Sequence, residues 1–139
     1  MMTFVRCLVR TLLIVWASPG SLVGVTLGAI ALLTGGKAQL HSGVLEFHGG
    51  AVRRMLHWLP IGPAAAITFG HVVLGQNGEA IEFTRSHERI HVRQYERWGP
   101  LFIPAYLLCS AWLWCRGKDA YRLNPFEVEA FANDGIRRS

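Results

Sequence analysis

Hydrophobic positions along this chain fall into three regimes, and each predicts a different kind of element. From Thr11 to Gly36 there is no charged residue. Such a stretch is long enough to cross a hydrocarbon core about 30 Å thick. Ser18-Pro19-Gly20-Ser21 interrupts it, so a kinked span, a shallow re-entrant hairpin and a buried helix pair all fit the pattern. Arg6 and Arg10 ahead of an apolar core also suit a cleaved leader, but the residues after Ala17 stay hydrophobic and offer no clear small-x-small site.

The second regime begins at Lys37. Gln39 to His48 reads as extended chain with turn signals and ends at Gly49-Gly50. Ala51 to Leu59 predicts a short helix or strand, and Pro60-Ile61-Gly62-Pro63 a turn. Ala64 to Leu74 is rich in β-formers (Ile67, Thr68, Phe69, Val72, Val73) and predicts a strand closed by Gly75-Gln76-Asn77-Gly78.

The third regime is helical. From Arg85 to Trp98, His87, His91, Gln94/Tyr95 and Trp98 recur on one stripe, and Arg89, Arg93, Glu96 and Arg97 take the other side. Gly99-Pro100 should stop this helix. Leu101 to Cys115 is a second apolar run containing Tyr106, Trp112 and Trp114, bounded by Arg97 and by Arg116 and Lys118. It is short for a span and predicts an interfacial or buried helix, or a segment one turn short of a tilted span. Asn124-Pro125 supplies an N-cap and an N1 proline for a last helix. The expected fold is α+β, with a hydrophobic membrane-associated segment at 1–37 and a core of short strands and two functional helices at 38–139.

Composition sharpens this picture. Apolar residues make up 51% and charged residues 17%, which excludes disorder and is greasy for a soluble domain of this length. The net charge of +5 flanks apolar stretches and is not interleaved with aromatics. A lipid bilayer with anionic headgroups therefore fits as a partner better than nucleic acid does. Cys7, Cys109 and Cys115 include no C-x-x-C. They read as reduced, packed thiols, neither a disulfide framework nor a thiolate zinc site.

The chemistry concentrates in His87-Glu88-Arg89-Ile90-His91, an H-E-x-x-H. Four residues apart on a helix, the two imidazoles face one ion, and Glu88 is placed to act as general base toward a water on it. Zn²⁺ needs a third protein ligand, and no His follows His91. Glu127 or Glu129 of the last helix can supply it. The competing structural roles are a capping-box bond from Glu127 to Asn124 and a solvent-facing Glu129.

These residues resemble the zinc metallopeptidases that combine H-E-x-x-H with a distal Glu, the gluzincin-like zincins. In many of these the second helix reads E-x-x-A followed by Asp or Asn, with the first Glu on the metal. Glu127-Val128-Glu129-Ala130 matches the first four positions, while Phe131 stands where Asp or Asn is usual. An alignment starting at Glu129 recovers Asn133. The resemblance favours Glu127 and leaves Glu129 open. Ala66 to Gln94 is also similar to the metallopeptidase-like domain found with extracellular contractile injection systems. His87-Glu88-x-x-His91-Val92-x-Gln94-Tyr95-Glu96-Arg97-Trp98-Gly99-Pro100, with the later Tyr121-Arg122-x-Asn124-Pro125-Phe126-Glu127, resembles small bacterial membrane proteins. That likeness implies the bacterial cytoplasmic membrane.

The expected function is membrane-associated, zinc-dependent hydrolysis of a peptide or protein substrate held by the strand around Ile67 to Val73. The alternatives are an inactive zinc-binding membrane module and a hydrolase of non-peptide amides. His71, Tyr95, Tyr121 and Asn133 are outside candidates for supporting the ligands or the transition state. His41, His48 and His57 have no ligand spacing and read as interface residues.

Overall fold

In the computed structural model residues 1–60 and 62–134 are described. Ile61 of the expected turn and the C-terminal Arg137 and Arg138 lie outside them. The first element, α1, is one continuous helix, Met2–Leu33, that runs through Pro19. Proline cannot donate to the carbonyl four residues back. Here Ser18 Oγ donates to Val15 O at 2.7 Å and satisfies the orphan. The re-entrant hairpin and the helix pair are therefore not formed.

Two strands follow, β1 (Lys37–His41) and β2 (Val44–His48), paired antiparallel. Their two-residue turn, Ser42-Gly43, has positive φ at both positions (50° and 78°), the twist that tight hairpins require. A short helix α2 (Gly50–His57) leads to β3 (Ala66–Phe69) and β4 (Val72–Gly75). The single strand expected over Ala64–Leu74 is thus a hairpin. Gly70, at φ 61°, turns the chain, and alternation alone does not register a turn of two residues. The sheet order is β1-β2-β4-β3, with β2 and β4 parallel and the other pairs antiparallel.

Helix α3 (Gly78–Trp98) starts earlier than the expected Arg85. Asn77, read as part of a turn, is its N-cap and accepts from Ala80 N–H at 2.8 Å. A 3-10 turn, Gly99–Leu101, separates α3 from α4 (Phe102–Cys115), and α5 (Pro125–Asn133) closes the described chain.

The architecture is mixed α+β, with α1 laid across the small sheet. Ala17, Gly20, Gly24, Gly28 and Ala31 form its buried stripe. A Cβ added at Gly24 would lie 2.6 Å from Val72 Cβ, and one at Gly28 would strike the Phe47 ring, so glycine permits the close approach. One core cluster joins Ala31 and Phe47 to Val52, Leu56, Val72 and Leu74, and a second joins Ala17 to Tyr95, Phe102 and Phe126. The second cluster seats α3, α4 and α5 against one another and fixes the distance between the helix of His87 and His91 and the helix of Glu127. Two helical stretches, Met2–Leu33 and Gly78–Cys115, are long and apolar enough to cross a membrane by length and composition. The thiols are free, but Cys7 and Cys115 are exposed, which corrects the expectation that all three are packed.

Candidate metal centre

Helix α3 carries His87, Glu88 and His91 on its buried side, and α5 carries Glu127 opposite them. Asn124 sets the start of α5. Its Oδ1 accepts from Phe126 N–H at 3.1 Å. Its Nδ2 donates to Tyr106 O at 3.0 Å and to Ser110 Oγ at 2.8 Å, anchoring the cap to α4. Glu127 does not return to Asn124 in a capping box. Its carboxylate points at the two imidazoles, with His87 Nε2 3.1 Å from Oε2 and His91 Nε2 3.4 Å from Oε1. The two Nε2 atoms are 3.2 Å apart.

These three edges test the fit of an ion. Ligand atoms about 2.0–2.1 Å from a tetrahedral zinc lie roughly 3.3 Å from one another; the two Nε2 atoms are close to that separation, and each has a different Glu127 oxygen at a similar distance. Proton placement points the same way. His91 Nδ1 lies 2.8 Å from Gln94 Oε1. The orientation of that amide is fixed because Gln94 Nε2 donates to Phe126 O and to Glu129 Oε2, both at 2.9 Å. His87 Nδ1 faces Asp134 Oδ2 at 3.4 Å. With Nδ1 facing an acceptor behind it, each imidazole can turn an Nε2 lone pair inward once that nitrogen gives up its proton, the tautomer a metal requires. Two inward lone pairs and a carboxylate repel one another unless a cation sits among them. The donor set fits a metal ion. Among the described residues, His87, His91 and Glu127 are the one group of three such side chains close enough to share it.

Electrostatics agree. Burial disfavours the charged form of every member, yet Glu127 is held down to about 2 by its hydrogen bonds from His87 and His91. Against the same burial, the bond to Glu127 and the charge of Glu88 raise His91 to about 9, and they raise His87 as well. In the absence of a metal, protons supply the positive charge the cluster demands.

Glu88 is 5% exposed, and its Oε2 accepts from Thr68 Oγ1 at 2.6 Å. Strand β3 therefore grips the carboxylate beside the ligands. Tyr106 OH donates to Glu127 Oε1 at 2.7 Å. Burial, followed by the charge of Glu127, pushes the Tyr121 phenol up. Phe131, where the gluzincin-like pattern has Asp or Asn, packs on His87 with ring centroids 4.6 Å apart.

Comparison with known proteins gives no match to a family model, a curated protein or a solved structure. The centre therefore stands on its own geometry.

Several expected participants lie elsewhere. Glu129 turns away from the cluster to Gln94 and Arg97, and Asn133 is exposed and bonds back to Glu129 O. His71 sits in the β3–β4 turn and pairs with Glu96 at 2.8 Å on another face of α3. Tyr95 OH donates to Thr68 O at 3.2 Å, supporting the strand that holds Glu88. Four contributors, Thr68, Gln94, Tyr106 and Asp134, were not singled out from sequence. Gln94 did carry a signal, three residues after His91 on the same stripe. Tyr106 lies in an apolar run and carried none.

Proposed function

We propose that this protein is a membrane-associated, zinc-dependent hydrolase of peptide bonds, related in mechanism to the zincins with a distal Glu ligand. One observation carries the reading: Glu88, a buried carboxylate fixed by Thr68, lies immediately beside a three-ligand group whose edges suit zinc. A structural ion needs no such neighbour. His87 Nε2, His91 Nε2 and Glu127 would hold the ion, and Asp134, Gln94 and Tyr106 would keep those groups oriented. An ion held there would supply electrophilic polarisation and would lower the pKa of a bound water.

The remaining work falls to the chain. Thr68 engages Glu88 Oε2, so Oε1 is the atom to take the water's proton, and the same oxygen returns it to the departing amide nitrogen. An extended peptide fits beside β3, which ends the sheet, by the backbone pairing used in β-addition. That edge is shorter than the expected Ile67–Val73, and Tyr95 already occupies the Thr68 carbonyl. The exposed apolar side chains of α1 and α4 support the membrane partner.

A second reading is favoured by the enclosure of His87, His91 and Glu127, which are 3–7% exposed. Closed sites are typical of structural zinc, and the chain would then be a zinc-held membrane interaction module. Glu88→Gln separates the two. The amide keeps the size and accepts from Thr68 but cannot take a proton. Cleavage of a casein or peptide-library substrate in detergent, at matched zinc content, should fall about 10²–10⁴-fold. Equal rates for the two proteins would refute the base assignment, and cleavage by neither favours the module.

A further inference from the structure

We propose that α1 lies flat in the membrane interface, its outer face in lipid and its inner face on the protein, and does not cross the bilayer. One side of α1 is already occupied by the folded body. The Arg10 guanidinium lies against Gly43 of the β1–β2 turn, Trp16 packs on Gly99, and Gly20, Gly24 and Gly28 sit on Tyr95, Val72 and Phe47. The folded body therefore accompanies the helix from Arg10 to Ala31, roughly 33 Å at 1.5 Å per residue. A hydrocarbon core is about 30 Å thick and takes about 20 residues. Any span drawn from Met2–Leu33 must include most of that accompanied length. It would carry β1, the exposed edge strand with Lys37, Gln39 and His41, into hydrocarbon, where unpaired backbone groups find no water.

An in-plane seat removes the conflict, and the residues of α1 are arranged for one. At helical spacing, Arg6, Arg10 and Leu13 continue the inner line begun by Ala17 and Gly20. Both arginines thus lie on the protein side. The opposite line carries Phe4, Leu8, Val15, Leu22 and Leu33, which are 50–87% exposed. Its polar members do not present free donors. Thr11 Oγ1 donates to Cys7 O at 2.9 Å and Thr26 Oγ1 to Leu22 O at 2.8 Å. Such bonds let a hydroxyl face lipid without an unsatisfied proton.

The occupant is a phospholipid bilayer with anionic headgroups. Net charge is +5, and the exposed Trp112 and Trp114 at the end of α4 are followed by Arg116 and Lys118. The Arg116 guanidinium stacks 4.1 Å over Trp112. An aromatic pair beside cations matches the chemistry of the headgroup layer.

Depth measurement decides between the two orientations, independently of whether the metal centre is active. Leu8, Val15, Leu22 and Ala29 stand seven residues apart on the outer line, so their extremes are roughly 31 Å apart along the axis. Each is changed in turn to Cys in the full chain, with Cys7, Cys109 and Cys115 replaced by Ser. The nitroxide-labelled proteins are placed in phosphatidylcholine/phosphatidylglycerol vesicles, and depth is read from oxygen against nickel-chelate accessibility. The expected result is four similar depths, about 5–10 Å below the headgroups. A graded series with Leu8 and Ala29 at opposite levels overturns the proposal in favour of a span. Four water-exposed labels overturn it in favour of a face open to solvent, and four labels shielded from both oxygen and nickel overturn it in favour of a face covered by protein. Circular dichroism and zinc content check that each variant folds, and Thr11 and Thr26 on the same face replace any position that does not.

Discussion

Gln94→Met isolates the support behind one candidate metal ligand, His91. Methionine keeps nearly the same length and volume but removes three hydrogen bonds at a fully buried side chain: from His91 Nδ1, to Phe126 O and to Glu129 Oε2. Glu129 keeps Arg97, and the Phe126 carbonyl keeps its place in the hydrogen-bond ladder of α5, so the uncompensated group is the His91 Nδ1–H. A buried orphan costs about 1–3 kcal/mol, so the fold should lose roughly that much, read as a lower denaturant midpoint at unchanged slope. Without an acceptor behind it, His91 is free to turn or to adopt the other tautomer. Loss of such a support lowers metal affinity about 10–100-fold. Zinc affinity is measured by competition with a chromophoric chelator, under conditions where wild type and variant are both folded. Gln94→Glu is the counterpart. It keeps an acceptor for His91 but loses the donors to α5, so it should weaken the fold and spare more of the zinc affinity. A Gln94→Met protein that binds zinc within about threefold of wild type would refute the account of how His91 is held.

Three other outcomes follow from the same geometry. Glu129→Gln should leave zinc binding intact and cost less than about 1 kcal/mol, because its pair with Arg97 is largely exposed; loss of zinc would reinstate Glu129 as a ligand. Gly24→Ala should lower the melting temperature. The helix-propensity gain of about 1 kcal/mol is set against overpacking of about 1–3 kcal/mol, and Val72 Cβ is tied to the β4 backbone and cannot swing aside. Metal-free protein should be most stable between about pH 4.5 and 6.5. Glu127 is depressed from 4.5 to about 2, so its contribution is lost as pH falls toward 2. His91 is raised from 6.5 to about 9, so its contribution is lost as pH climbs toward 9. A melting temperature in chelator that rises between pH 6.5 and 9 contradicts this, and zinc affinity should increase over that interval because the ion displaces the proton.

Much of the fold was legible because local signals and burial agree. The helical stripe of His87, His91 and Gln94 is also the buried face of α3, and the Asn124-Pro125 cap starts α5 as expected. Misreadings occurred where one residue served two grammars. Asn77 belongs equally to a turn and to a helix cap, and only the helix that follows decides. Pro19 looked like a break, but the Ser18 hydroxyl at the preceding position replaces the missing bond to Val15. Gly70 within a β-rich run looked like strand until its positive φ turned the chain.

The candidate centre divides along a different line. His87, Glu88 and His91 share one helix, so a 3.6-residue period is enough to bring them together. Glu127 comes from another helix, and its selection over Glu129 rests on the roll of α5 about its axis. Phe126, buried against Tyr95 and Phe102, sets that roll. Residue 127 then faces α3, and residue 129, two positions on, is turned by about 200° to the Gln94–Arg97 side. Thr68 and Tyr106 are more distant still, because a strand and an apolar helix each contribute one polar atom and no local pattern marks either. Their partners do. A buried Glu88 beside another buried carboxylate needs a donor of its own, and a Glu127 with two imidazoles on one side has an oxygen left for a hydroxyl. The sequence therefore predicts that such donors exist, and tertiary packing alone chooses which residues they are.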